Sequence, residues 1–374
     1  NIENLKSLSI KSDIFIHTHN DFLDNKNLDA KIINHSISEA DVNKGLLTWL
    51  SRPLMEKQKD DYEYFMYLEH DIKFSEENLR YFLKYDVSLN EKKFRGRQIF
   101  DWIYRKRVYD FSKMSDLTKT LREKLDSFKI HPLKLVKGDE SGSKKTRKFL
   151  FQLSTGEKIE SVLMEEGDRT TICLSTQVGC AVNCDFCATA KMGFIKNLST
   201  GEIIDQFVQL KEISKKTITN VVFMGMGEPF LNYTSTIESA ALLHHSKGIN
   251  MAAWRITIST SGIINKINQY TIEKQPYKLA ISLNATSQTQ RLKTMPITKN
   301  QHFSKLLKVA KNYAYHSREK VTFEYVLLKG INDQTSDGRE LVKILNTTNC
   351  KLNIIPYNEI GGQFERPSDQ KIEK

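Results

Sequence analysis

CLSTQVGCAVNCDFC, residues 173–187, gathers four of the chain's five cysteines into fifteen residues. Cys180, Cys184 and Cys187 are spaced C-x3-C-x2-C, and Cys173 stands seven residues upstream. Three thiols in one short loop suit either zinc or an iron–sulfur cluster. Structural zinc normally closes with four ligands, commonly two C-x2-C pairs. No second pair follows here, because Cys350 lies far downstream in an apolar run. Three thiolates instead leave one corner of a metal centre open to a substrate or cofactor. Zinc and small buried cysteines stay as alternatives; the spacing favours an open-site [4Fe–4S] cluster, with Phe186 in the loop as a shield.

Outward from this loop the chain alternates. Strand-like runs occur at 171–175, 219–224 (TNVVFM), 254–259 (WRITIS), 277–283 (YKLAISL), 320–328 (KVTFEYVLL) and 350–356 (CKLNIIP). Helix-like segments lie between them, for example GEIIDQFVQLKEI (201–213) and FSKLLKVAKNYAYH (303–316). Six strands alternating with helices predict an α/β fold of parallel βα units. In a barrel of such units, ligands sit at the C-terminal ends of the strands. Upstream, TRKFLFQL (146–153) and EKIESVLM (157–164) flank STG and read as a β-hairpin. Farther upstream, FRGRQIFDWIYRKRV (94–108) reads as a helix with Ile99, Trp102 and Ile103 on one face, which makes Trp102 a core residue. LTKTLREKLDSF (117–128) continues with Leu117, Leu121 and Leu125 four apart.

Charge divides the chain as well. The net charge of +11 is uneven: residues 1–86 hold 11 Lys and Arg against 16 Asp and Glu, while residues 87–148 hold 18 against 8. A basic block of that size suits a polyanion such as nucleic acid, or else a solvated face. The acidic segment 1–86 contains YEYFMYLEHDIKF (62–74), a strand-like run whose Glu69 and Asp71 form only a short, common acidic pattern. No apolar run approaches a membrane span, no secretory pattern opens the chain, and clustered cysteines do not resemble a disulfide framework. A cytoplasmic protein with no membrane partner is expected.

GMGEP (225–229), ISTSG (258–262), ISLNA (281–285) and IPYN (355–358) all close strand-like runs, where one ligand could touch several of them. Together with FRGRQIFDWIY (94–104), CLSTQVGCAVNCDFCATAKMGF (173–194), NVVFMGMGEP (220–229), EYVLLKGIND (324–333) and LNIIPYN (352–358), they make residues 91–374 resemble the RlmN/Cfr family of radical S-adenosylmethionine (SAM) RNA methyltransferases, and most closely its RlmN branch. Residues 1–86 fall outside the resemblance.

The resemblance implies a partial (β/α)6 radical SAM barrel over 147–374, a small basic helical RNA-binding domain over 87–146, and an intervening β-hairpin. It implies a [4Fe–4S] cluster on Cys180, Cys184 and Cys187, with SAM on the open iron. Gly227, Glu228, Ser259, Ser282, Leu283, Asn284 and Asn358 match SAM-contacting positions, with Asn284 standing where some members have His. The implied reaction methylates C2 of adenine in 23S ribosomal RNA and transfer RNA through a methylated cysteine. C2 is not a nucleophile, which is why a radical route is needed. Cys173 matches the resolving cysteine, which forms a disulfide, and Glu160 matches the proton acceptor. The methyl-carrying cysteine lies near the C-terminus in the family. This chain is expected to stop before it, to hold cluster and SAM, and to be unable to complete transfer. Implied partners are 23S rRNA, tRNA and an electron-donating reductase or flavodoxin-like protein, with the enzyme a monomer. The alternatives are a Cfr-type methylation at C8, a radical SAM maturase acting on protein, and a non-catalytic cluster-carrying RNA-binding fragment.

Overall fold

The computed structural model describes residues 94–126, 130–140, 145–246, 248–317 and 319–373, together with two short parallel strands, β1 (Phe15–Thr18) and β2 (Lys31–Asn34). The run 62–74, with Glu69 and Asp71, lies outside the described residues. The chain divides into two compact units between Arg97 and Gln98, and helix α1 (Phe94–Phe100) spans the division.

After α1 the backbone widens over Asp101–Arg105, where Lys106 N–H donates to Asp101 O at 2.9 Å. Trp102 is half-buried rather than core. Lys106 Nζ sits 3.5 Å over its ring and its indole N–H donates to Asp116, so the neighbouring charges, not the apolar interior, satisfy it. Thr118 Oγ1 accepts from Leu121 N–H (3.3 Å) and starts α2 (Lys119–Leu125). Leu117, Leu121 and Leu125 are buried along one face, as their spacing requires.

A nine-stranded sheet follows, in the order β13-β12-β11-β10-β9-β6-β5-β4-β3. Its antiparallel wing is β3 (Lys134–Glu140), β4 (Thr146–Gln152) and β5 (Lys158–Glu166). The hairpin forms as its sequence predicts: Gly156 N–H donates to Leu153 O at 3.0 Å to close the turn. β3 differs from expectation, because KLVKGDE falls within the 87–146 block that the sequence reads as helical. Leu135 and Val136 are exposed, so the segment carries no burial pattern, and its pairing with β4 rests on backbone bonds.

The parallel part comprises β6 (Arg169–Cys173), β9 (Asn220–Phe223), β10 (Ile256–Thr260), β11 (Lys278–Ser282), β12 (Val321–Leu327) and β13 (Cys350–Pro356). These are the six strands predicted from the apolar runs, and they form an open, partial barrel. Helices α3 (Thr200–Ile213), α4 (Tyr233–His244), α5 (Ile264–Ile272), α6 (Gln288–Leu292), α7 (Phe303–His316) and α8 (Thr335–Leu345) supply the crossovers that parallel strands require. Helix α3 begins with a capping box between Ser199 and Glu202. Among the described residues no helix is long and apolar enough to cross a membrane.

Alternation along the strands separates two faces. Ile172, Val221, Phe223, Ile256, Ile258, Leu279, Ile281, Val321 and Phe323 pack outward in the main apolar core. The intervening positions, linked by register through Cys173–Val222–Thr257 and Ser282–Glu324, face the barrel interior. The interior is therefore lined by polar and small side chains.

Candidate functional site

The three loop cysteines are held by a small ribbon of their own. β7 (Gln177–Gly179) pairs with β8 (Phe194–Asn197), and Cys180 N–H donates to Gly193 O at 3.0 Å. A Cβ on Gly179 (φ +71°) would lie 1.7 Å from Gly193 O, so only glycine permits this closure. Cys187 N–H donates to Cys184 O, and Asp185 N–H reaches Thr294 O at 2.9 Å, tying the loop to the segment after α6. Phe186 packs on Leu328, Tyr357 and Phe364, joining the loop to the strands at the opposite end of the open barrel.

Cys180, Cys184 and Cys187 are partly buried free thiols. Burial pushes Cys180 up to about 11 and Cys184 higher still, and Cys187 adds to both shifts. Among the described residues no three His, Cys, Asp or Glu side chains converge on a single metal ion. A four-iron cluster asks for no such convergence, since each thiolate binds its own iron. A cleft of about 360 Å³ opens beside Cys184, between Asn183, Lys191 and the Tyr357–Phe364 segment.

The strand-end motifs meet beneath this loop. Gly227 has φ +99°, and a Cβ there would lie 2.5 Å from Gln177 Cβ. Gln177 Oε1 in turn accepts from Glu228 N–H at 2.8 Å. The buried Glu228 carboxylate accepts from Phe230 N–H (2.9 Å) and Ser261 N–H (2.6 Å). Burial raises its pKa, and those two N–H groups oppose the shift. The Thr260 and Ser261 hydroxyls also hold the carboxylate and oppose the shift. Thr294 Oγ1, next to the cysteine loop, is buried without a hydrogen-bond partner among the described residues. A buried carboxylate and an unpartnered hydroxyl beside three free thiols fit a cluster and a polar ligand that carries an amine.

Ser259 and Ser282 face the interior, and Ser259 Oγ donates to Glu324 Oε2 at 2.9 Å. Leu283 faces outward into the core and offers only its backbone, whose carbonyl accepts from Arg291 Nε at 3.0 Å. Asn284 adopts φ +55°, with Oδ1 accepting from Val326 N–H (2.9 Å) and Nδ2 near Met295 Sδ (3.4 Å). Its amide is thus engaged within the protein. Asn358 stands exposed just beyond β13. Ser261, Glu324, Gln177 and Arg291 are not among the residues expected from the sequence. Ser261, Gln177 and Glu324 lie within the quoted ISTSG, CLSTQVGC and EYVLLKGIND, whereas Arg291 carries no local signal.

Cys173 ends β6 on the interior face, paired with Val162 and Val222. Burial pushes its thiol up to about 12, opposed by a hydrogen bond from the Met224 backbone. Glu160 lies on the same face of β5, two residues from Val162, and is exposed. Its carbonyl accepts from Ser175 Oγ at 2.5 Å. The expected disulfide is not present: all five cysteines, Cys173 and Cys350 included, are free. Cys350 starts β13 at the N-terminal end of the barrel, one strand length of about 20 Å from the cysteine loop's end.

Comparison with known proteins agrees with this arrangement. Residues 72–130 match the family model "Ribosomal RNA large subunit methyltransferase N-terminal domain", which begins inside the segment that the sequence resemblance left out, and residues 174–338 match the Radical SAM superfamily. A probable dual-specificity RNA methyltransferase RlmN from Thermotoga sp. (strain RQ2) is 43% identical over 287 residues, covering 76% of this chain and 84% of the relative. The Aquifex aeolicus protein of the same name is 42% identical over 295 residues, covering 77% and 84%. A crystal structure of a radical SAM methyltransferase from Sphaerobacter thermophilus superposes with a TM-score of 0.74 at 39% identity, covering 78% of this chain and 86% of that one.

Proposed function

Because the chain belongs to the RlmN family of radical SAM RNA methyltransferases, we propose that it methylates C2 of an adenine in 23S ribosomal RNA and in transfer RNA. The cofactors of this family are a [4Fe–4S] cluster and SAM. The observation that carries the reading is the free thiol trio of Cys180, Cys184 and Cys187 standing over strand ends that present Glu228, Ser259 and Ser282. Held there, the cofactors supply radical methyl-transfer chemistry, which an unactivated aromatic carbon requires.

In this reading the three thiolates would hold the cluster, Glu228 would accept from the SAM ammonium, and Ser259, Ser282 and the Leu283 and Asn284 backbone would line its remainder. Gly227 would let the backbone approach, and Asn358 would meet the ligand from the last strand. Cys173 is the resolving thiol, poised on the interior face. Glu160, exposed on the same face, takes the proton from C2 of the RNA base. Its exposure suits a group that must meet a macromolecular substrate. The basic block within 87–146 binds RNA phosphate, giving affinity that falls with salt. The proposal includes a cytoplasmic monomer reduced by a flavodoxin-like protein.

Cys350 does not serve as methyl carrier, because it lies at the far end of its strand with Sγ directed toward Leu345 O at 3.9 Å.

Nucleoside mass spectrometry tests the reaction, using 23S rRNA and tRNA from cells deleted for their own adenine-C2 methylation and expressing this protein. 2-Methyladenosine is expected in both RNAs; 8-methyladenosine, or no methylated base, would overturn the proposal.

A further inference from the structure

Arg291, on α6, is the largest completely buried side chain among the described residues. No carboxylate bonds to it. Nε donates to Leu283 O (3.0 Å), Nη1 to Thr298 Oγ1 (2.9 Å), and Nη2 to Ser282 O (3.0 Å) and Ser261 O (2.5 Å). The fork therefore joins the ends of β10 and β11, a task for which a lysine has too few donors in the wrong geometry. A buried cation held only by neutral dipoles is costly unless an anion lies near. Burial accordingly lowers its pKa to about 10, opposed by the charges of Cys184 and Glu228.

Two neighbours bear on it: Glu228, which accepts from the N–H of the same Ser261 whose carbonyl the arginine binds, and the cysteine loop. Asp185 N–H donates to Thr294 O, and Thr294 N–H donates to Arg291 O, so one short backbone path links loop and arginine. A [4Fe–4S] centre with three thiolates is anionic in its oxidised form and gains one further negative charge on reduction.

We infer that Arg291 is the buried counter-charge of the cluster, held by three strand-end carbonyls and Thr298, and that it raises the cluster's reduction potential. This rests on the cluster reading above. A fixed positive charge in a low-dielectric wall stabilises the more negative, reduced form most. Because the guanidinium is clamped to the same strand ends proposed to line the SAM site, its distance from the loop does not depend on a mobile side chain.

EPR-monitored redox titration of anaerobically reconstituted wild type, Arg291→Lys and Arg291→Gln is the test, with dithionite as reductant and iron content and circular dichroism as folding controls. The Gln variant is expected to shift its midpoint to more negative potential, and the Lys variant to shift less. An unmoved Gln variant, or equal shifts in both, would overturn the inference. Wild type that retains no iron would instead sink the cluster reading itself, and the inference with it. If the Gln variant fails to fold, ENDOR on reduced wild type labelled with 15N-arginine decides: a 15N coupling that the Lys variant lacks is expected, and no coupling in wild type would overturn the assignment.

Discussion

Ser259 Oγ on β10 donates to Glu324 Oε2 on β12 at 2.9 Å, spanning the interior face of β11 between them. The strand they cross presents Ala280 at this level, paired with Ser259 on one side and Thr322 on the other. A small side chain there leaves the serine and the glutamate in reach of each other. The bond also sets what Ser259 can offer a ligand: with its hydrogen given to Glu324, the hydroxyl can only accept.

Burial raises the pKa of Glu324, and the bond from Ser259 opposes the shift. A raised carboxyl binds its proton more readily in the folded state, so its stability contribution is complete below the ordinary carboxylate value and is lost as pH rises through the folded value. Glu324→Gln mimics the protonated form. The melting temperature of wild type relative to this variant is expected to fall as pH rises above the ordinary carboxylate range; a difference that stays constant with rising pH would contradict the assignment.

Iron and sulfide analysis checks the thiol trio. Anaerobically reconstituted wild type is expected to hold on the order of four irons per chain, with an EPR signal that changes on adding SAM. The Cys180/Cys184/Cys187→Ala triple variant is expected to hold none. Stoichiometric zinc in place of iron would defeat the cluster reading.

Gly227→Ala puts a Cβ into Gln177 at a φ of +99°. Such a conformation costs an L-residue about 1–3 kcal/mol, and displacing Gln177 releases Glu228 N–H. SAM affinity by isothermal titration is expected to drop at least about tenfold, the equivalent of roughly 1.4 kcal/mol. Unchanged affinity would place the ligand elsewhere.

Asp205 on α3 is buried and accepts from His131 Nδ1 (2.5 Å), Leu133 N–H (2.9 Å) and Gln209 Nε2 (3.0 Å). It therefore anchors the segment that leads into β3. Asp205→Asn replaces one acceptor oxygen by a donor and should destabilise by about 1–3 kcal/mol in urea titration. Amide exchange at Leu133 should accelerate with it, whereas unaltered protection would show that the anchor lies elsewhere.

Asn284→Ala removes the acceptor for Val326 N–H and places alanine at φ +55°. Together these should cost about 2–4 kcal/mol by denaturant unfolding. A loss below about 0.5 kcal/mol would mean that neither is needed.

The six parallel strands, the hairpin and the cysteine loop were legible because each writes a local pattern: apolar runs of strand length, turn residues between two such runs, and thiols at fixed spacing. Those patterns come from backbone period and ligand geometry, which operate over a few residues. β3 was not legible, since a strand that only completes backbone pairing needs no apolar face. Trp102 was misplaced because its apolar neighbours outweighed, in the sequence, a lysine and an aspartate that become its partners only in space. The site divides in the same way. Cys180, Cys184, Cys187 and the strand-end motifs are contiguous in sequence. Arg291, Glu324 and Gln177 act across 30, 65 and 51 residues on Ser261, Ser259 and Glu228 respectively. Local spacing determined which groups could bind a cluster. Only the assembly of the sheet decided which buried charges surround it, because an ionisable group inside the protein is set by whatever the fold brings within a few ångströms.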